Sequence, residues 1–186
     1  MPQLEPQAAP CSGITEIDET YFRESFKGKK VSHRSPRKRG KLNVRGLSKE
    51  QIPVVVARDR DGRTCDAVLH ERSAKEVGLR IGPKIAPRSL LCIEKSRILI
   101  KFAKDENLAF ETIGTKQRRG REKIFHVQSV NAYHSRLKNW MGHFNGVATE
   151  RLPSYLDWRR LQEMALPTPQ EWLRTMVKGK IHTKRN

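Results

Sequence analysis

Two apolar runs, IPVVVARD and TCDAVL, lie on either side of Asp61-Gly62 in the stretch from Ile52 to Leu69. Asp-Gly between such runs is a hairpin signal, because a tight turn between strands needs positive-φ backbone that glycine supplies at little cost. An antiparallel strand pair is therefore the element on which the rest of the chain must pack. Upstream, ITEIDETYF (Ile14 to Phe22) is β-branched and aromatic with partial alternation, and predicts a further strand ending near Asp18 and Glu19. Downstream, Ser73 is placed to cap a short helix that runs to about Ile81 and stops at Gly82-Pro83. RSLLCIEK (Arg88 to Lys95) predicts a short buried strand with Glu94 at its C-terminal end, and a helix follows over Ser96 to Lys104. Leu108 to Gly114 alternates as a last strand. From His126 onward the pattern is helical, with Val127, Val130, Leu137 and Met141 forming a stripe that His134 interrupts, and TERLPSYLDWRRLQEM predicts one more helix. Strands and helices in this order predict an α/β fold in which helices flank a mixed five-stranded sheet.

At 186 residues the chain has the length of one domain. Residues 1–13, rich in Pro, Gln and Ala, read as a disordered leader, residues 14–161 as the folded domain, and residues 162–186 as a basic C-terminal extension. The balance of 38 Lys and Arg against 20 Asp and Glu, a formal net charge of +18, points to an anionic polymer as partner. The charge is concentrated: residues 27–46 hold nine Lys or Arg and no acid, and TKQRRGREK (115–123) is a second basic loop. Cations packed this closely repel one another unless phosphate neutralises them, so Lys27, Lys29, Lys30, Arg34, Arg37, Lys38, Arg39, Lys41, Arg118, Arg119 and Arg121 are candidate contacts to nucleic acid. No apolar stretch reaches the roughly 18 residues of a spanning helix and the N-terminus lacks a signal-peptide pattern, so a cytoplasmic protein with no membrane partner is expected. Cys11, Cys65 and Cys92 show no metal-binding or disulfide spacing, and His126, His134 and His143 lack the arrangement of a zinc site. Trp140, Tyr155 and Trp158 read as helix packing.

The carboxylates carry the chemistry. Asp18 and Glu94 each fall at the end of a predicted strand, and neighbouring strands can bring them to one edge of the sheet. Asn131 and Lys138, seven residues apart, share one face of a predicted helix. Asp18, Glu94 and Asn131 together offer oxygen donors suited to a hard divalent ion, with Lys138 reaching an adjacent phosphate. Two such ions about 4 Å apart can activate an attacking oxygen and stabilise a leaving one in phosphoryl transfer. Glu19 reads as a surface acid, and Asp105, a helix away from the strand end, ranks below Glu94 as the second acid.

EIDETYF, HVQSVNAYHSRLKNWM and FNGVATERLPSYLDWRRL resemble the DDE-type transposases of bacterial insertion sequences, specifically the ISXO-like transposase domain, in the subgroup where Asn and a trailing Lys replace the last acid. The likeness runs from about Gly13 to Leu161. It implies an RNase H-like fold and a nuclease and strand transferase using Mg2+, or Mn2+ in its place. The implied partner is double-stranded DNA, both element ends and target, and the implied working form is a homo-oligomer. On this likeness Asp18 matches the first catalytic Asp, Asn131 the third position and Lys138 the trailing Lys. The chain departs from the pattern where the family usually has Asp-Gly, because here Glu94-Lys95 stands. Glutamate reaches about one methylene further, and a misplacement on the order of 1 Å can cost about a hundredfold in rate. Nothing like the zinc-binding and helix-turn-helix region usual in the family precedes Ile14, so the chain reads as the catalytic domain alone, a truncated copy. An active transposase and a catalytically impaired DNA-binding remnant are the two functions expected, ahead of a basic RNA-binding protein, which would need no carboxylate edge.

Overall fold

The computed structural model describes residues 9–29, 48, 50–114 and 124–163. The chain runs β1 (Ile14–Arg23), β2 (Gln51–Asp59), β3 (Thr64–Val68), α1 (Ala74–Ile81), β4 (Leu90–Ile93), α2 (Arg97–Asp105), β5 (Ala109–Thr112), α3 (Gln128–Gly142) and α4 (Leu152–Glu163). The strands form one sheet in the order β3-β2-β1-β4-β5. β1, β2 and β3 pair antiparallel, while β4 joins β1 and β5 joins β4 in parallel. This mixed five-stranded sheet between helices is the RNase H-like arrangement.

Alternate side chains of each strand feed two separate cores. Ile17, Val55, Ala57, Leu91 and Ile93 pack beneath α1 and α2, with Val77, Ile81, Leu99 and Phe102. Val54, Val56 and Cys92 face the other way, against Val130, Tyr133 and Leu137 of α3 and Leu152 and Leu156 of α4. The unbroken apolar run of β2 follows from this, because a strand covered on both faces has no polar side to alternate with. The hairpin turns at Gly62, whose φ of +86° is in the region that glycine occupies without steric cost. Ser73 caps α1 by accepting from the Glu76 N–H at 3.2 Å, and Ser96 caps α2 by accepting from the Leu99 N–H at 3.4 Å. α3 has no such side chain of its own: its N-cap residue is Val127.

The packed chain begins ahead of β1. Cys11, within the expected leader, is fully buried and bridges to Ile85, and its sulfur lies 3.1 Å from that of Cys65. Residues 1–8 and the basic extension from 164 lie outside the described residues. At the far end, Trp140, Phe144, Tyr155 and Trp158 pack ring against ring, with centroids 4.8 Å apart for Trp140 and Phe144 and 5.1 Å for Trp140 and Trp158. They join the end of α3 to α4, as helix packing requires.

Candidate active site

The parallel pairing of β1 with β4 determines where the acids meet. Ile14 stands opposite Leu90 and the register continues to Ile17 opposite Ile93, so the next residue on each strand is Asp18 and Glu94. The two carboxylates thus leave the sheet at the same level of neighbouring strands, which lie roughly 4.8 Å apart. Burial raises the Asp18 carboxyl from its ordinary 3.8 to about 6, and the charges of Glu94 and Glu19 add to that rise. The Glu19 backbone N–H and the more distant Lys138 ammonium hold the rise in check.

α3 lies across this edge. His134 brings Nδ1 to 3.9 Å from Asp18 Oδ2, and Lys138 is near enough for its charge to act on Asp18. Asn131, His134 and Lys138 are spaced by three and four residues, so one face of α3 carries all three toward the sheet edge. Burial and the charge of Lys138 lower His134 to about 4, which keeps it neutral near pH 7. Asn131 itself is exposed on the first turn of the helix. Among the described residues, no three His, Cys, Asp or Glu side chains stand close enough to hold one ion. The oxygen set is two carboxylates and an amide, and buried negative charge that lifts a carboxyl to about 6 is what a bound cation would relieve. The donor chemistry fits a hard divalent ion.

Three sequence expectations acquire definite surroundings. Glu19 points to the opposite face of the sheet, where it accepts from Tyr21 Oη at 2.8 Å and from Arg72 at 3.4 Å. Asp105 pairs with Lys101 along α2 at 3.0 Å, away from the strand ends. Lys95, directly after Glu94, takes a φ of +47°, a left-handed conformation that a residue other than glycine adopts at some cost. Of the basic candidates, Lys27 donates to the Phe144 and Gly146 carbonyls at 3.0 Å each, and Lys29 pairs with Glu150. Lys30, Arg34, Arg37, Lys38, Arg39, Lys41, Arg118, Arg119 and Arg121 lie outside the described residues.

One residue of the site was not singled out by the sequence. Glu16, two positions before Asp18 on the same face of β1, is fully buried. Its Oε2 accepts from the Val130 N–H at 2.9 Å, and its Oε1 pairs with Arg60 and lies 3.0 Å from His126 Nδ1. The signal was there in the alternation of EIDET, which puts Glu16 and Asp18 on one side, but an acid within a strand reads as solvent-facing until α3 is known to cover it.

The sheet order β3-β2-β1-β4-β5, with Asp18 within β1 level with Glu94 just after β4 and α3 packed over them, defines the class as an RNase H-like domain. Within it, the ISXO2-like transposase domain matches residues 10–160, and the chain belongs to that family. No match was found among curated proteins. Among solved structures, the chain is similar to one in the simian T-cell lymphotropic virus intasome in complex with PP2A regulatory subunit B56 gamma, at 9% identity and a TM-score of 0.49, covering 87% of this chain and 52% of that one. It is similar also to a chain in the pre-cleavage Mos1 transpososome, at 11% identity and a TM-score of 0.28, covering 89% of this chain and 55% of that one. The chain thus spans about half the length of the solved chains it matches.

Proposed function

We propose that this transposase domain cleaves DNA and transfers strands, with Asp18, Glu94 and Asn131 as ligands of Mg2+ or Mn2+ and Lys138 as a phosphate contact. The reading rests on the register that brings Asp18 and Glu94 to one level under the face of α3 bearing Asn131 and Lys138. When bound, a divalent ion supplies Lewis-acid activation of oxygen at phosphorus. Asp18 and Glu94 supply the negative charge that would hold the ion. The Lys138 ammonium offsets charge on the scissile phosphate. The basic segments 27–46 and 115–123 flank β1 and α3 in sequence and would grip the DNA backbone of element ends and target. A homo-oligomer working on DNA in a bacterial cytoplasm is the setting that the family implies, and no helix among the described residues is long and apolar enough to cross a membrane.

A second reading, a DNA-binding remnant with impaired chemistry, is favoured by Glu94, whose extra methylene displaces the second carboxylate. The experiment is Mg2+- or Mn2+-dependent nicking and strand transfer on DNA carrying adjacent element ends, run for the natural chain, Glu94→Asp and Asp18→Asn. Activity of the natural chain that Asp18→Asn abolishes establishes the enzyme. Activity of Glu94→Asp alone establishes the remnant, and silence of both overturns the assignment of these residues.

A further inference from the structure

We infer that Glu16 is a positioning residue that ties the first turn of α3 to β1 and so sets where Asn131 stands relative to Asp18. The inference rests on the metal-site reading above and deepens it. Glu16 joins strand to helix beside the site: it precedes Asp18 by two positions on the same face of β1, and its partner Val130 precedes Asn131 by one position on α3. A change in the Glu16 contact therefore moves the third candidate ligand relative to the first.

Two observations besides the contact itself point the same way. The first N–H groups of a helix have no partner within it, and a side chain at the N-cap usually takes one of them. Val127 cannot, and the first turn of α3 has no acid, so the Val130 N–H is served from the strand below. A carboxylate in that place also meets the positive end of the helix dipole. The second observation is how Glu16 is held. Arg60 pairs with Oε1 from the hairpin side, and the His126 ring, its Nδ1 3.0 Å from the same oxygen, lies against it from the segment leading into α3. Arg60 further donates to the Ile124 carbonyl at 2.6 Å, fastening that same segment. A buried carboxylate with both oxygens committed has little freedom to shift. Such outer contacts orient metal ligands, and their loss commonly weakens metal affinity by about tenfold to a hundredfold.

The test is Mn2+ binding by the full chain, followed by electron paramagnetic resonance of the free ion, together with thermal unfolding, for the natural protein, Glu16→Gln, Glu16→Met and Asp18→Asn. Gln and Met both remove the charge facing Arg60 and have similar length, but only Gln retains an oxygen to accept from Val130. The expected result is Mn2+ affinity within about threefold of the natural chain for Glu16→Gln and at least about tenfold weaker for Glu16→Met. A merely structural role would lower the melting temperature of both and leave the affinity of the folded protein equal in the two, and that equality overturns the inference. If Glu16→Met does not fold, Glu16→Asp replaces it. Asp keeps the charge for Arg60 but draws its oxygens back from Val130, so weakened binding supports the tie and unchanged binding overturns it. Asp18→Asn separates the two levels. If it binds Mn2+ as tightly as the natural chain, the metal-site reading fails and the inference with it. If it loses Mn2+ while Gln and Met bind alike, the tie alone fails.

Discussion

Asp18 and Asp66 stand on one rung of the sheet, since Val56 of β2 is opposite Asp18 on one side and Asp66 on the other. Both face the layer of α3 and α4, two strands apart. Asp66 is 2% exposed, pairs with Arg160 and accepts from Tyr133 Oη at 3.0 Å, and Arg160 also pairs with Asp157. The Asp18 side chain is 26% exposed, and among the described residues no Lys or Arg pairs with it, the His134 ring 3.9 Å away being neutral. Cation and hydroxyl make Asp66 a fastening between β3, α3 and α4. Asp18 on the same rung has no such fastening: burial first, and the charges of Glu94 and Glu19 after it, raise its carboxyl to about 6 against the opposing pull of the Glu19 N–H and Lys138. Burial alone thus does not separate a structural acid from a chemical one; the partner supplied by the fold does.

The largest effect expected at the open end of the rung is on chemistry. Asp18→Asn should reduce Mn2+-dependent nicking by at least about a thousandfold, on the order of 4 kcal/mol in the barrier, because it removes one of the two carboxylates proposed to hold the ion. Single-turnover cleavage of labelled DNA measures it. An Asp18→Asn protein that still nicks at a tenth of the natural rate would make the two aspartates alike and break the contrast.

At the closed end the expected effect is on folding. Arg160→Ala leaves Asp66 buried without its cation, which should cost about 3 to 5 kcal/mol in denaturant unfolding. Mn2+ affinity of the fraction that remains folded should be unchanged. An equal loss of Mn2+ binding would place both ends of the rung in one functional unit.

Glu94→Asp sharpens the open end further. Drawing the second carboxylate back by a methylene should raise nicking by on the order of tenfold to a hundredfold, with little change in melting temperature. A fall in rate would mean that the longer side chain is the one this site is shaped for.

The sheet was legible because each strand carries its own punctuation: Asp61-Gly62 marks the hairpin and the VVV run of β2 marks burial on both faces. The helices were legible from Ser73, Ser96 and the apolar stripe of α3. Glu94 does follow the end of β4, but β1 does not end near Asp18: it runs on to Arg23, because pairing with β2 continues through Tyr21, Phe22 and Arg23, and Asp18 lies mid-strand. What could not be read were contacts between elements distant in sequence. Cys11 and Cys65 are 54 residues apart and Glu16 and Val130 are 114 apart, and no spacing rule connects either pair. His134 interrupts the stripe for the same reason: it is buried beside an acid of β1. Asp66 and Arg160 meet only once β3 and α4 are packed together.

The smallest effect concerns stability and runs opposite to the loss of activity. An aspartate whose folded pKa is raised to about 6 binds its proton more tightly in the native state than in the unfolded chain, where the ordinary value is 3.8. The stability that follows is fully present below the unfolded value and is lost as pH rises through the folded one, so at pH 7.5 the ionised Asp18 is a burden on the metal-free fold. His134, lowered to about 4, has the reverse dependence: its contribution is present above its ordinary 6.5 and is lost as pH falls through 4. Because the two oppose each other between pH 4 and pH 6, the natural protein's pH profile alone does not isolate Asp18. The difference between Asp18→Asn and the natural chain does, since both keep His134. Metal-free Asp18→Asn should be more stable at pH 7.5 by on the order of 1 to 2 kcal/mol, allowing for the partial exposure of the carboxyl, and the two proteins should converge as pH approaches 4. Mn2+ should then stabilise the natural chain and leave the variant unchanged. A natural chain already more stable than the variant at pH 7.5 without metal would show that Asp18, like Asp66, has found its partner within the fold.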